Sequence, residues 1–287
     1  MEQIPLFIAE VSSNHNRSLE RCLRFIDQAA EAGCSGVKFQ LFRLEELFAP
    51  EILSKSALHR KRKEWELPGA FLPALAERCR ERKVLFSSTP FYLEAVQELF
   101  PYVDFYKIAS YELLWSELLV ACAATGKPVV LSTGMATMEE IERAVATLRN
   151  AGCEDLTLLH CVSGYPAPIA ECNLAAIETL SKTFNCEVGW SDHSVSPGII
   201  YRAVHRWGAR MVEFHLDLDG EGEEFSTGHC WLPEQIGQVI DTVGFGLSGD
   251  GTGDKEPTAV ETPDRQWRAD PGDGLRPLKK IRGDWHG

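Results

Sequence analysis

Lysines, histidines and hydroxyl side chains recur where short apolar runs of this chain end. Lys38 lies in GVKFQ, Lys107 in FYKIA, His193 in WSDHS and His215 in MVEFH. Around them in sequence stand Thr89, Ser110, Ser132, Ser163 and Ser191. Two ammonium groups with several hydroxyl donors suit a cage for a phosphate and a carboxylate. A single lysine in such a place is more often a surface charge or a structural ion pair, so the repetition carries the reading. His193 and His215 close successive runs, which sets two imidazoles side by side, a start for a divalent metal with open positions. The plain alternative is a pair of hydrogen-bonded core histidines. His160 also closes a run, and there the core role is favoured, while His59, His205 and His286 read as solvated. Glu10, Gln40, Glu112 and Tyr165 lie at or just beyond other run ends.

Side chains so far apart in sequence meet only if regular elements carry them to one place. β-rich runs recur, each followed by an amphipathic stretch. Strands are predicted at Pro5–Val11, Gly36–Gln40, Val84–Ser88, Phe105–Ala109, Pro128–Ser132, Leu156–Cys161, Glu187–Trp190 and Met211–His215. Helices are predicted at Leu19–Ala32, Leu67–Arg82, Tyr92–Leu99, Ser116–Thr125, Met138–Asn150, Leu174–Phe184, Pro197–Trp207 and Pro233–Val243. The insert Leu41–Glu64 is polar and irregular, with room for a short helix. This alternation is the count of an α/β fold, the (β/α)8 TIM barrel, whose sites form at the C-terminal strand ends where the polar residues fall. A doubly wound sheet competes, but its Gly-rich first loop is replaced here by SSNHN.

The barrel domain is expected over residues 1–246, followed by a short irregular C-terminal tail over 247–287. Gly246–Lys255 reads as a flexible connection. The tail is too poor in apolar residues for a core of its own. Trp267 and Leu275 suggest anchors of a strap that brings Arg265, Arg268 or Arg276 towards a site; a disordered tail is the alternative. Trp285 is the second tail tryptophan.

The 287 residues carry 29 Lys and Arg against 42 Asp and Glu, a net charge of −13 that argues against nucleic acid as a partner. The first residues show no basic, apolar leader, and no apolar run is long enough to span a membrane, so a cytoplasmic protein is expected. Nine cysteines include no Cys-x-x-Cys pair, which argues against a zinc ribbon or a thioredoxin-like redox site and fits free thiols in a reducing compartment.

The strings IAEVSSNHN, VKFQ, SSTPF, KIASYE, LSTGMAT, LLHCVSGYP and WSDHS, in order and evenly spaced, resemble the sialic acid synthase (N-acetylneuraminate synthase) family. The resemblance runs from about Leu6 to about His215. It implies a TIM-barrel transferase that condenses phosphoenolpyruvate with an amino sugar into a nonulosonic acid. It implies that Lys38, Thr89, Lys107, Ser110, Ser132, Ser163 and Ser191 hold phosphoenolpyruvate, with Ser163 standing where many members have Asn. His193 and His215 would bind Mn²⁺ or Mg²⁺, and Glu10, Gln40, Glu112 and Tyr165 would face the acceptor sugar. Lys38 and Lys107 would stabilise phosphate charge, and Glu10 or Glu112 would assist proton transfer or orient sugar hydroxyls. A homodimer is implied as well.

Two departures bear on the acceptor. The family continues into a C-terminal antifreeze-like domain that reaches a partner's site, where this chain has only the tail. After the eighth strand the family carries a Gly-Pro-Asp-His-like stretch contacting the sugar, where this chain reads Asp219 to His229, DGEGEEFSTGH. Three alternatives remain: another phosphoenolpyruvate-dependent 3-deoxy-ulosonate synthase, a Schiff-base aldolase using Lys38 or Lys107, and a noncatalytic metabolite-binding barrel.

Overall fold

A computed structural model describes residues 4–283. Eight parallel strands form the centre: β1 (Leu6–Glu10), β2 (Gly36–Leu41), β3 (Leu85–Pro90), β4 (Phe105–Ile108), β5 (Val129–Ser132), β6 (Leu156–Cys161), β7 (Glu187–Asp192) and β8 (Met211–Leu216). Each pairs with the next, and β1 pairs with β8 from Leu6↔Met211 to Glu10↔His215, which closes the barrel. The outer ring consists of α1 (Leu19–Glu31), α2 (Leu72–Arg82), α3 (Leu93–Leu99), α4 (Ser116–Ala123), α5 (Met138–Asn150), α6 (Ala176–Phe184), α7 (Pro197–His205) and α8 (Pro233–Gly249). The fold is a (β/α)8 TIM barrel.

Strand parity divides the apolar side chains into two layers. Residues such as Val37, Phe39, Phe86, Leu158 and Phe214 point outward and pack under the helices. Ile8, Phe105, Val130, Leu159 and Met211 point inward and plug the barrel. Gly189 belongs to this inner layer. A Cβ there would lie 2.3 Å from the Met211 carbonyl oxygen and 2.6 Å from Leu159 Cδ2, so only glycine fits. Above the plug the same parity delivers the polar residues.

Several elements differ from the sequence reading, among them the helix expected from Leu67, which begins at Leu72, and the third strand, which runs to Pro90. β7 continues to Asp192 because that buried carboxylate is satisfied, accepting from the indoles of Trp190 and Trp231 at 3.0 Å each. α8 runs to Gly249, into the first four residues of the stretch read as flexible, and 250–255 stay irregular; Leu247 packs on the core and offsets the helix-weakening glycines. The β2–α2 insert holds three short helices, Leu44–Leu47, Pro50–Lys55 and Ala57–Lys61, and a 3₁₀ turn at Arg62–Trp65. A two-residue strand, β9 (Cys230–Trp231), pairs with the end of β8, His215 opposite Cys230.

The chain divides into two compact units between Leu247 and Ser248. The second contains short helical turns at Ala259–Glu261, Pro263–Trp267 and Lys279–Arg282. Its order comes from local polar bonds: Asp273 accepts from Arg282 at 2.5 and 2.9 Å, and Asp270 accepts from the Lys279 backbone N–H at 2.8 Å. Trp267 and Leu275, read as anchors, are 46% and 63% exposed. Trp285 and His286 lie outside the described residues. Among those residues, no helix is long and apolar enough to cross a membrane.

Candidate active site

Inward parity at the C-terminal strand ends places Glu10 on β1, Lys38 and Gln40 on β2, Thr89 on β3, Lys107 on β4, Ser132 on β5, Cys161 on β6, Ser191 on β7, and Glu213 and His215 on β8. His193 follows β7, and Ser110 and Glu112 lie in the 3₁₀ turn after β4. A small deep pocket of about 60 Å³ is lined by Glu10, Lys38, Gln40, Lys107, Ser110, Ser132, Tyr165, Ser191, His193 and His215, with Cys161 and Glu213.

Both lysines are almost fully buried, so their charges demand partners. Lys38 contacts Glu10, approaches Glu213 at 3.9 Å and donates to Thr89 Oγ1 at 3.2 Å. Lys107 meets the other oxygen of Glu213 at 3.2 Å, and Ser191 donates to that oxygen at 3.3 Å. Burial alone would raise the pKa of Glu213, but Lys107 and Lys38 outweigh it and hold the carboxyl below its ordinary range. Burial likewise opposes the charge on Lys38, and Glu10 and Glu213 overcome it, raising its pKa. Two glutamates thus neutralise two lysines, so a polyanion entering here must replace a carboxylate at an ammonium group.

The β5 and β6 ends complete an anion cradle. The Gly134 N–H donates to Ser110 Oγ at 3.0 Å. A Cβ on Gly134 would fall 2.4 Å from Ser163 Oγ and 2.8 Å from Ser110 Oγ, so the absent side chain keeps this corner open. The hydroxyls of Ser132 and Ser163 are buried without a hydrogen-bond partner, donors ready for an oxygen-rich ligand.

The two histidines fit a divalent metal. Their rings lie 5.3 Å apart, each with Nδ1 tied back: His193 to the Val162 carbonyl at 2.8 Å, His215 to Glu224 Oε2 at 2.7 Å. Carbonyl and carboxylate oxygens accept, so each Nδ1 carries a hydrogen and each Nε2 is the nitrogen left for a metal. His160 is structural; its Nε2 bonds the Cys172 carbonyl at 2.9 Å and its ring packs on Trp190.

Tyr165, Gln40 and Ala109 also line a second, larger cleft of about 710 Å³ that continues outward. Glu112 and Glu224 give this cleft carboxylates, and the β2–α2 insert gives it Phe48, His59, Arg62 and Trp65. Burial lifts the Glu112 pKa to about 7, against the pull of Lys107 and Lys38. Its Oε2 is buried without a hydrogen-bond partner. The Arg62 guanidinium stands 5.4 Å from the Phe48 ring centre and 5.2 Å from that of Trp65. His59, read as solvated, instead packs edge-on against Phe48 with its Nδ1 2.7 Å from Ser56 Oγ.

Of the phosphoenolpyruvate, metal and acceptor residues expected from the sequence, Thr89, Ser163 and Glu112 do not line the deep pocket directly; Thr89 touches Lys38, Ser163 flanks the Gly134 corner, and Glu112 faces the larger cleft. Sequence reasoning passed over Glu213, although it shares a strand face with His215 at the i, i+2 spacing. It also passed over Arg62, Trp65 and Glu224, which loops bring in and no periodicity marks.

Fold and site define a (β/α)8 barrel with a charge-balanced anion cage beside a metal-competent histidine pair. The sequence model described as the NeuB family matches residues 25–247, and the chain belongs to that family. The N,N'-diacetyllegionaminic acid synthase of Campylobacter jejuni is 36% identical over 227 residues, covering 75% of this chain and 68% of that protein. A pseudaminic acid synthase of the same species is 33% identical over 267 residues, covering 88% and 78%. The crystal structure of the N-acetylneuraminic acid (sialic acid) synthetase from Leptospira borgpetersenii, in complex with citrate, superposes with a TM-score of 0.81 at 32% identity, covering 91% of this chain and 90% of that one. Among curated relatives the chain spans from 66% to 78% of their length.

Proposed function

We propose that the chain condenses phosphoenolpyruvate with the open-chain aldehyde of an N-acylated amino sugar, giving a nonulosonic (sialic-type) acid and phosphate. The observation that carries this reading is the pairing of a buried Lys38–Lys107 cage with unpartnered serine hydroxyls, opening past Tyr165 into a cleft large enough for a sugar. The names of the related synthases point the same way.

In this reading Lys38, Lys107, Thr89, Ser110, Ser132, Ser163 and Ser191 hold the phosphate and carboxylate, and the acceptor lies in the outer cleft against Gln40 and Tyr165. A Mn²⁺ or Mg²⁺ ion on the Nε2 atoms of His193 and His215 would supply positive charge and polarise the aldehyde oxygen. Alignment of the phosphoenolpyruvate C3 with the aldehyde carbon is the main task, because the enol ester is a weak nucleophile. The new C–C bond leaves C2 electron-deficient; water adds there and gives a proton to Glu10, displaced from Lys38 by the incoming phosphate. Glu112, protonated in part at neutral pH, donates to the aldehyde oxygen as it becomes a hydroxyl. The C2–O bond then breaks, its electron pair leaves with phosphate, and the C2 hydroxyl passes its proton to that phosphate as the ketone forms.

A Schiff-base aldolase requires a neutral amine, and Glu10 and Glu213 instead hold Lys38 charged. A cytosolic, reducing setting accompanies the proposal and suits nine free thiols; so does the homodimer that the resemblance implies. The test is phosphate release from phosphoenolpyruvate with a panel of N-acylated hexosamines, their deoxy and diacetamido analogues and their phosphate esters. Release that depends on one of these aldehydes is expected. Tight phosphoenolpyruvate binding with no release on any acceptor would instead identify a binding barrel.

A further inference from the structure

Beyond the pocket pair, one further group of potential ligands converges at the rim. Among the described residues, His215, Glu224, His229 and Cys230 are the one cluster whose nitrogen, oxygen and sulfur atoms all lie within 4.8 Å of one another. Local structure builds it. The β8–β9 pairing sets His215 opposite Cys230, and the short helix Glu223–Ser226 presents Glu224 between them. The loop is clamped from below: Arg21 binds Asp217 at 3.1 Å and Asp219 at 2.7 Å, and Asp217 accepts from the Gly222 N–H at 3.1 Å.

The convergent atoms are His215 Nδ1, His229 Nε2 and Cys230 Sγ, at 2.7, 3.5 and 3.8 Å from Glu224 Oε2. Three of the four donors have a second partner fixing them from behind. Thr227 Oγ1 lies 2.8 Å from His229 Nδ1, Asn14 Nδ2 donates to the Cys230 sulfur at 3.6 Å, and Ser12 and Ser13 donate to Glu224 Oε1 at 2.5 and 2.9 Å. Backing of this kind orients ligands in metal sites.

We infer that these four residues form a binding site for a thiophilic divalent ion of the zinc class, distinct from the His193–His215 pair in the pocket. Two imidazoles, a carboxylate and a thiolate are a four-donor set that favours zinc over manganese or magnesium. On binding, the His215 proton moves from Nδ1 to Nε2 as the neutral ring changes tautomer, and the Cys230 thiol proton leaves to solvent. The His215–Glu224 contact opens by roughly half an ångström to admit the ion at ordinary ligand distances. The site takes the opposite nitrogen of His215 from the one that faces the pocket. A neutral imidazole has one lone pair, so filling the rim site competes with a pocket metal.

The experiment is titration of metal-free protein with Co²⁺, read by absorption, followed by displacement with Zn²⁺. The inference predicts a thiolate-to-cobalt charge-transfer band and the intense visible bands of four-coordinate cobalt. Cys230→Ser removes the charge-transfer band and weakens zinc binding about tenfold or more; His193→Ala, which touches only the pocket pair, keeps the band. Should Cys230→Ser fail to fold, His229→Gln reports on the same site through loss of the four-coordinate spectrum. Absence of a thiolate band, or a band that survives Cys230→Ser and disappears in His193→Ala, overturns the inference. Calorimetric binding of phosphoenolpyruvate to Cys230→Ser is expected to be unchanged, which separates this outcome from the fate of the condensation reading.

Discussion

Glu112 combines burial with a position beside two lysines, and burial wins, moving its pKa to about 7. The consequence for stability has a definite sign. A carboxyl whose folded pKa lies above its unfolded value keeps its proton longer in the folded state. Its contribution is complete below about pH 4.5 and is lost as pH rises through about 7. Ligand-free protein is therefore expected to lose on the order of 3 kcal/mol from this group between pH 4.5 and 8. Glu112→Gln removes that slope, as denaturant titrations at both pH values can show; an unchanged slope contradicts the assignment. The same substitution should remove the alkaline limb near pH 7 from the rate profile, if Glu112 is the acid. At this scale the sequence was informative where parity held. Lys38, Lys107, Ser132, Ser191 and His215 each lie at a strand end on the inward face, so their convergence followed from the barrel count. Glu213 obeys the same rule two residues before His215, but its role emerges only when the barrel sets it between Lys38 and Lys107. Glu224 had no such rule: in sequence it was one of several acids in a polar loop, and only the β8–β9 pairing turns it inward.

The β2–α2 insert looked irregular in sequence because its helices are too short to show a period. In three dimensions it forms a wall of the outer cleft, with the Arg62 guanidinium set near the rings of Phe48 and Trp65. Aromatic neighbours fix a guanidinium while leaving its N–H donors directed outward. We expect Arg62→Ala to raise the acceptor KM about tenfold, the worth of one charged hydrogen bond, with the phosphoenolpyruvate KM unchanged. Equal effects on both constants would mean that the insert supports the fold rather than the acceptor. The elements that sequence reading placed well are those with a clear period and a cap, such as α5 with the capping box of Thr137 and Glu140. Those it misjudged, the end of α8 and the extension of β7, are decided by tertiary packing and by buried hydrogen bonds that no local pattern encodes.

For the molecule as a whole, a closed barrel explains how a chain of net charge −13 can still bind a polyanion. The relevant field is local: Lys38 and Lys107 lie inside the ring, where their interactions are little screened, while much of the acidic excess lies on the helices and loops outside. The central claim is that phosphoenolpyruvate reacts at carbon, through its C3 and C2, and loses phosphate by C–O cleavage. It is tested most directly by turning over phosphoenolpyruvate labelled with heavy oxygen at the ester bridge, together with the acceptor found in the panel, and reading the released phosphate by phosphorus NMR. The account predicts that the label appears in the phosphate, in step with formation of a nonulosonic acid. Unlabelled phosphate, released with pyruvate and without the acceptor, would mark simple phosphoester hydrolysis and contradict it.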